Sequence, residues 1–169
     1  MQKLILGLLL CLPAIASGQQ EPFNCQDSVP HRQFDFWLGK WEVRDAEGTL
    51  QGNNLIESVQ MGCVLREQWR SVSGGTGESL NYYSASSGHW RQLWVDAGSS
   101  IIDISGGIRE GSMVLEGTIE YLQSGKVFPF RGTWTPLDDG RVRQFFQQQD
   151  PQGQWKTWFE GFYSPSPAL

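Results

Sequence analysis

The sequence has few of the residues that build most enzyme active sites and metal centres. Its two histidines, His31 and His89, lack the spacing of zinc-binding motifs and are poorly placed as axial ligands of a haem. No Gly-x-Ser-x-Gly motif of serine hydrolases is present, and Gly74-Gly75-Thr76-Gly77 joins two predicted strands instead of opening a helix. The sequence therefore predicts no metal site and no cofactor.

Positive charge is also scarce. The chain has 13 Lys and Arg against 18 Asp and Glu, a net charge of −5, and no basic cluster. Proteins that bind nucleic acid or anionic membranes concentrate Lys and Arg on one face. We therefore expect neither nucleic acid nor an anionic membrane surface as a partner.

The first residues have the pattern of a secretory signal peptide. Lys3 precedes an apolar run from Leu4 to Ile15, and Ala14-Ile15-Ala16 fits the small-x-small rule for cleavage. The run is shorter than the roughly 20 apolar residues of a membrane-spanning helix, and Cys11 lies inside it, not at a lipoprotein cleavage site. We predict that residues 1–18 are cleaved, that the mature chain has no membrane span, and that it is secreted or periplasmic.

Cleavage would leave two cysteines, Cys25 and Cys63, in an oxidising compartment. Two thiols in that setting favour a disulfide, although two separate buried thiols are the alternative. A bond closing a loop of this length stabilises a fold by roughly 3 to 4 kcal/mol in the loop-entropy model. Its predicted role is structural, since no Cys-x-x-Cys redox motif is present.

The rest of the chain is predicted as one all-β domain of about ten strands. Phe34 to Leu38 is predicted as a single helical turn, and turn signals such as Glu110-Gly111 and Asp138-Asp139-Gly140 separate the strands. The predicted strands cover residues 40–46, 52–61, 63–72, 78–86, 88–97, 99–107, 111–122, 126–136, 140–149 and 154–163. Such short connections favour antiparallel neighbours, and closing the sheet removes its two exposed edges.

We therefore predict an antiparallel up-and-down barrel of the lipocalin-like (calycin) type, with a two-sheet sandwich as the alternative. Residues 19–33 would form an N-terminal lead, residues 34–164 the barrel, and residues 165–169 a tail. The oligomeric state stays open.

Several predicted strand faces mix aromatic and polar side chains. Near Trp90, one face carries Trp90, Gln92, Trp94 and Asp96, and the strand near Leu65 places Glu67 with Trp69. In a filled core such faces are costly unless every polar atom is paired. A barrel with a cavity lined by aromatics and a few polar groups accommodates them. The alternative is that these are solvent-exposed strand faces.

The chain also resembles a family of secreted bacterial proteins with a lipocalin-like barrel. Phe34-Asp35-Phe36-Trp37-Leu38-Gly39-Lys40-Trp41 matches the opening motif of that family, and residues 62–69 resemble its Gly-Cys-x-x-x-Glu-x-Trp strand. Gly39-Lys40-Trp41 is similar to the Gly-x-Trp signature of lipocalins, whose Trp packs across the closed end of the barrel. Further matching segments are 81–83, 90–96, 131–136 and 140–144, whereas the loop 148–153 departs from the family pattern. The resemblance implies a fold and no activity.

These patterns favour a secreted module that binds a small, partly apolar ligand inside the barrel. Aromatic side chains would form the walls and polar ones would orient the ligand. The predicted ligand-binding residues are Glu67, Trp69, Asn81, Tyr83, Trp90, Gln92, Trp94, Asp96, Arg131 and Trp134.

Two other functions stay open. Glu67 is a candidate general base of a small-molecule hydrolase or isomerase, because burial against aromatics raises the pKa of a carboxyl, and Asp96 is a candidate second carboxylate. The alternative, which we prefer, is that Glu67 forms an interior ion pair with an arginine such as Arg131 or Arg143, since structural ion pairs also perturb acids. The third alternative is a structural or partner-binding envelope protein with a filled barrel.

Overall fold

The computed structural model describes residues 23–166, so the predicted signal peptide and Cys11 lie outside the described residues. The ten strands are β1 Gly39–Arg44, β2 Leu50–Val59, β3 Val64–Ser71, β4 Thr76–Ser84, β5 His89–Asp96, β6 Ser100–Arg109, β7 Ser112–Tyr121, β8 Lys126–Pro136, β9 Val142–Gln149 and β10 Trp155–Pro165. Every strand predicted from the sequence is present, with bounds within about two residues. Within residues 23–166, no helix has the length and apolarity needed to cross a bilayer.

The strands form a closed antiparallel barrel in simple sequential order. Each strand pairs with the next along the chain, and β1 pairs with β10 to close the sheet. Tight turns allow this order: Glu110 and Gly111 connect β6 to β7 with φ of 50° and 79°, as a two-residue turn of type I′ requires. The predicted all-β, ten-stranded, lipocalin-like barrel is confirmed, and the two-sheet sandwich is excluded.

The N-terminal segment before the barrel is tied to it by a disulfide. Short helical turns cover Cys25–Asp27, Val29–Arg32 and Asp35–Trp37, the last within the predicted turn 34–38. Cys25 is bonded to Cys63, with 5.0 Å between the two Cα atoms. The predicted disulfide is confirmed, and it holds the segment against the start of β3.

This segment closes one end of the barrel. Phe34 and Trp37 are fully buried and stack on each other, with 5.0 Å between ring centroids. Phe34 also packs edge-on against Trp90 and Trp134. Trp41 in β1 donates a hydrogen bond from Nε1 to the Trp37 carbonyl oxygen at 2.9 Å. The segment therefore fills this end of the barrel with aromatic rings. We call this end of the barrel the closed end.

Strand β10 contains a bulge that breaks the alternation of its side chains. The register with β9 shifts between Thr157 and Phe159, so Trp158 has no residue opposite it. On either side of the shift, Trp155 and Phe162 both lie against arginines of the outer surface although they are seven residues apart. In a regular strand, residues an odd number of positions apart lie on opposite faces. Two residues that share a face at this separation therefore require one extra residue between them. The bulge therefore turns both Trp158 and Phe159 toward the interior.

Candidate ligand-binding cavity

The barrel interior contains a cavity of about 260 Å³ near the end opposite the N-terminal segment. This open end is formed by the start of β2, the end of β3 and the first half of β10. Trp158 at its mouth is 41% exposed. The lining residues are Gln51, Glu67, Trp69, Ser71, Gln92, Trp94, Ile102, Gln144, Phe146, Trp158, Phe159 and Tyr163. Five of the twelve are aromatic rings without a charge or hydroxyl, so the walls are mostly apolar.

Glycines on neighbouring strands determine where two of the wall tryptophans lie. A Cβ atom at Gly77 of β4 would collide with the indole of Trp94, and one at Gly52 of β2 would lie 2.7 Å from Cη2 of Trp69. Because neither glycine has a side chain, each indole lies directly against the backbone of the adjacent strand. This close packing leaves the centre of the barrel open beside the rings.

A polar network forms the floor of the cavity. Asn54 of β2 donates from Nδ2 to Glu67 Oε1 at 2.7 Å, and the Ser79 hydroxyl of β4 donates to Glu67 Oε2 at 2.6 Å. The Tyr163 hydroxyl of β10 accepts a second bond from Asn54 at 3.1 Å and donates to Gln144 Oε1. Side chains from five strands thus meet at one level, between the aromatic closed end and the open cavity.

Glu67 is the ionisable residue at the centre of this floor. Its side chain is almost fully buried, with 3% exposed. Burial raises the pKa of the Glu67 carboxyl to about 7, and the hydrogen bonds from Ser79 and Asn54 lower it only in part. Tyr163 beside it also has a raised pKa, because of burial and the neighbouring Glu67 charge, so the phenol stays neutral. Near neutral pH, Glu67 is therefore the group of the floor that changes its charge.

Two of the twelve lining residues have a polar atom that is buried without a hydrogen-bond partner among the described residues. One is Oε1 of Gln92, whose side chain is 1% exposed and whose Nε2 donates to Asn81 Oδ1 at 2.8 Å. The other is Nε1 of Trp94. Buried polar atoms are nearly always paired, so these two unpaired atoms, which belong to side chains that line the cavity, are candidate hydrogen-bond partners of a ligand.

Four of the predicted ligand-binding residues line the cavity, namely Glu67, Trp69, Gln92 and Trp94. Asn81 lies just beneath them, fully buried, and donates to Ser79 Oγ at 2.8 Å. The mixed aromatic and polar face predicted near Trp90 is therefore an inner face of the barrel.

Three other predicted residues lie at the closed end. Trp90 and Trp134 pack against Phe34, and Tyr83 packs against Trp90 and His31. They face the interior but support the filled end, away from the cavity. Trp90 is held there by a hydrogen bond from Nε1 to the Pro30 carbonyl oxygen at 3.1 Å.

Asp96 lies near the mouth and stabilises the turn between β5 and β6. Its carboxylate accepts hydrogen bonds from the backbone and hydroxyl groups of Ser99 and Ser100 at 2.5 to 2.9 Å. Burial alone would raise the pKa of Asp96, but these bonds outweigh it and lower the pKa. Because its oxygens are bound within the turn, Asp96 has a local structural role here.

The placement of Arg131 as a ligand-orienting residue is corrected by the structure. Its side chain lies outside the barrel, where Nε donates to Gln147 Oε1 at 2.8 Å and the guanidinium stacks on Trp155. Arg143 also lies outside, paired with Glu160. Both arginines alternate along their strands with buried inward residues such as Phe130 and Gln144. The alternative of an interior ion pair between Glu67 and either arginine is therefore wrong.

The other eight lining residues were all missed from the sequence. Trp158 and Phe159 are adjacent in the chain, so simple alternation places only one of them inside, and only the bulge brings in both. The alternation of side chains along β9 and β10 could have predicted three of them, namely Gln144, Phe146 and Tyr163. It is the same signal that identified Gln92 and Trp94 on β5.

Comparisons with known proteins assign neither family nor function: no protein-family model and no curated protein matches the chain. The resemblance to secreted bacterial barrel proteins therefore stays a prediction. Among residues 23–166, no group of three or more His, Cys, Asp or Glu side chains is placed to hold a metal ion.

Proposed function

We propose that this protein binds a small, partly apolar molecule in the cavity at the open end of the barrel. The observation that carries the proposal is the cavity itself, with aromatic walls and a floor of hydrogen-bonding groups. Large apolar contact with a few polar groups is the usual composition of small-molecule sites. Its volume of about 260 Å³ lies just below the usual range of ligand pockets, which favours a small ligand with a body of one or two rings.

The cavity also argues against a structural protein with a filled barrel. A filled barrel would carry aromatic packing through to the second end, as Phe34 and Trp37 do at the first. Instead, the polar residues Glu67 and Gln92 line a cavity inside the barrel. Burying such polar groups costs free energy, which a ligand that binds them would offset.

The binding function is tested with N-phenyl-1-naphthylamine, a neutral fluorophore whose emission rises in apolar sites. We expect one site per chain and a change in intrinsic tryptophan emission, because three indoles line the cavity. Trp94→Ala should weaken binding about tenfold by removing one aromatic wall. Trp155→Ala is the matched control, since Trp155 lies outside under Arg131. Equal effects of the two substitutions would contradict binding in the cavity.

A second candidate function is favoured by Glu67. A carboxyl with a pKa of about 7 at the floor of a cavity has the properties of a general base for hydrolysis or isomerisation. Against this function, both Glu67 oxygens already accept hydrogen bonds from Asn54 and Ser79. A metabolite screen tests for turnover. Catalysis would be supported if the unmodified protein turns a compound over, the Glu67→Gln variant does not, and the rate rises as pH increases through 7. Binding without turnover would support the binding function.

We also propose that the protein works outside the cytoplasm. The Cys25–Cys63 disulfide fits an oxidising compartment, where such bonds persist. N-terminal sequencing of the protein exported by its host should give a chain that begins after residue 16 or 18. A cytoplasmic protein that retains Met1 would contradict secretion.

A further inference from the structure

The charges around the cavity are strongly asymmetric. Glu67 is the single carboxylic acid among the twelve lining residues, and none of the twelve is Lys, Arg or His. The arginines nearest in sequence to the floor point outward: Arg66 pairs with Glu57 at 2.8 Å and Arg143 pairs with Glu160. An anionic ligand would therefore meet a carboxyl group in an apolar site without a cation to compensate it.

Hydrogen-bond acceptors are also in excess at the floor. Each oxygen of the Glu67 carboxyl accepts one bond from within the protein and has room for another. Oε1 of Gln92 and Oδ1 of Asn54 are both buried without a hydrogen-bond partner among the described residues. A ligand that donates several hydrogen bonds would satisfy these atoms, whereas a ligand that only accepts would leave them unpaired.

The walls suit a positive charge as well as an apolar body. Trp69, Trp94 and Trp158 line the space above the floor. Indole rings attract cations through their π electrons more strongly than other aromatic side chains do. An ammonium group has three donors and no acceptor, and so complements both the floor and the walls.

We propose that the cavity is selective for organic amines, with the ammonium group on Glu67 and Gln92 and an aromatic or apolar body between Trp69, Trp94 and Trp158. This inference rests on the proposed binding function and specifies its ligand class. Glu67 acts as the counter-ion, so the amine is bound best when the carboxyl is ionised. The groups that face Glu67 are Asn54 of β2, Ser79 of β4 and Tyr163 of β10, and of these only Tyr163 titrates. Because the Tyr163 pKa is raised, its phenol stays neutral in the tested range.

The test uses three probes of similar shape and different charge: 2-(1-naphthyl)ethylamine, 2-(1-naphthyl)ethanol and 1-naphthylacetate. Each is titrated by calorimetry and in competition with N-phenyl-1-naphthylamine at pH 8. We expect the amine to bind about tenfold more tightly than the alcohol, because it forms a charge-assisted hydrogen bond. The acetate should be the weakest. Affinity for the amine should rise between pH 5.5 and 8 as Glu67 ionises, while affinity for the alcohol should change little.

Glu67→Gln keeps the size of the side chain and removes its charge, so it should abolish both the preference for the amine over the alcohol and the pH dependence of amine binding. Glu57→Gln is the matched control on the outer surface and should change neither. Should Glu67→Gln fail to fold, the pH dependence of the unmodified protein still decides the point.

The outcomes separate the two proposals. If the alcohol or the acetate binds as tightly as the amine, selectivity for amines is overturned and the binding function stands. If no naphthyl probe and no fluorophore binds, both proposals are overturned.

Discussion

At the end of the barrel covered by the N-terminal segment, Phe34 and Trp37 fill the interior: Phe34 packs against Trp90 and Trp134, and Trp37 packs against Trp134. At the other end, Trp69 and Trp94 lie back against neighbouring strands and leave an open cavity. Both ends use aromatic side chains from the same set of inward-facing positions. The difference is that, within residues 23–166, only one end receives a segment from outside the barrel. An aromatic inner face therefore does not by itself tell a core from a binding site.

The comparison is tested most directly by removing one tryptophan from each end. Trp37→Ala should lower the free energy of unfolding by about 3 to 5 kcal/mol, because Trp37 is fully enclosed and leaves a large void. Trp94→Ala should lower the free energy of unfolding by only about 1 kcal/mol, because one side of the Trp94 ring already borders the cavity. Urea denaturation of the two variants checks this. Similar losses in both would mean that the two ends are packed alike.

The disulfide should matter to the closed end more than to the cavity. Replacing Cys25 and Cys63 together by Ser should lower stability by about 3 to 4 kcal/mol, because the bond spans 38 residues. Under conditions where the variant is still folded, its affinity for N-phenyl-1-naphthylamine should stay within about twofold of the affinity of the unmodified protein. Loss of probe binding from the folded variant would show that the cavity depends on the N-terminal segment.

Glu67 should make stability depend on pH through the polar floor. Its pKa is raised from 4.5 to about 7 in the folded protein, so the folded state holds the proton more tightly than the unfolded state. Stability should therefore fall as pH rises through this interval, by about 3 kcal/mol in total. Urea denaturation at pH 4.5, 6 and 8 measures the slope. Glu67→Gln should flatten it, and an unchanged slope in that variant would assign it to other groups.

The smallest expected effect concerns the open end. Gly77→Ala should push the Trp94 indole from the wall into the cavity. The free energy of unfolding should fall by about 1 to 2 kcal/mol. Affinity for N-phenyl-1-naphthylamine should fall. Gly107→Ala is the matched control, because a Cβ there has no heavy atom within 4 Å. If Gly77→Ala binds the probe as tightly as the control does, the position of Trp94 does not determine the shape of the cavity.

The fold could be predicted from the sequence because its signals are local. Turn pairs such as Glu110-Gly111 end each strand, and connections this short allow only antiparallel neighbours. The disulfide followed from an even count of cysteines once the signal peptide was set aside.

The candidate site was predictable only in part. Alternation showed that Trp90, Gln92 and Trp94 share a face, but not that Trp90 lies in the closed end and Trp94 beside the cavity. That difference depends on the N-terminal segment, which contacts Trp90 through Phe34 over a long sequence separation. The bulge at Trp158 is equally invisible to a period of two. For Arg131 the period of two is sufficient: it separates Arg131 from the face that carries Phe130 and Trp134, which the structure buries.

The barrel closes through its shortest ladder. Strands β1 and β10 share four residue pairs, from Trp41 with Pro165 to Arg44 with Phe162, whereas β6 and β7 share ten. Amide hydrogens along this ladder should exchange with solvent sooner than those between β6 and β7, because fewer bonds must break together. Strand β10 also carries Phe159 and Tyr163 of the cavity. Transient opening of this ladder would therefore give a bound molecule a lateral exit in addition to the mouth of the barrel.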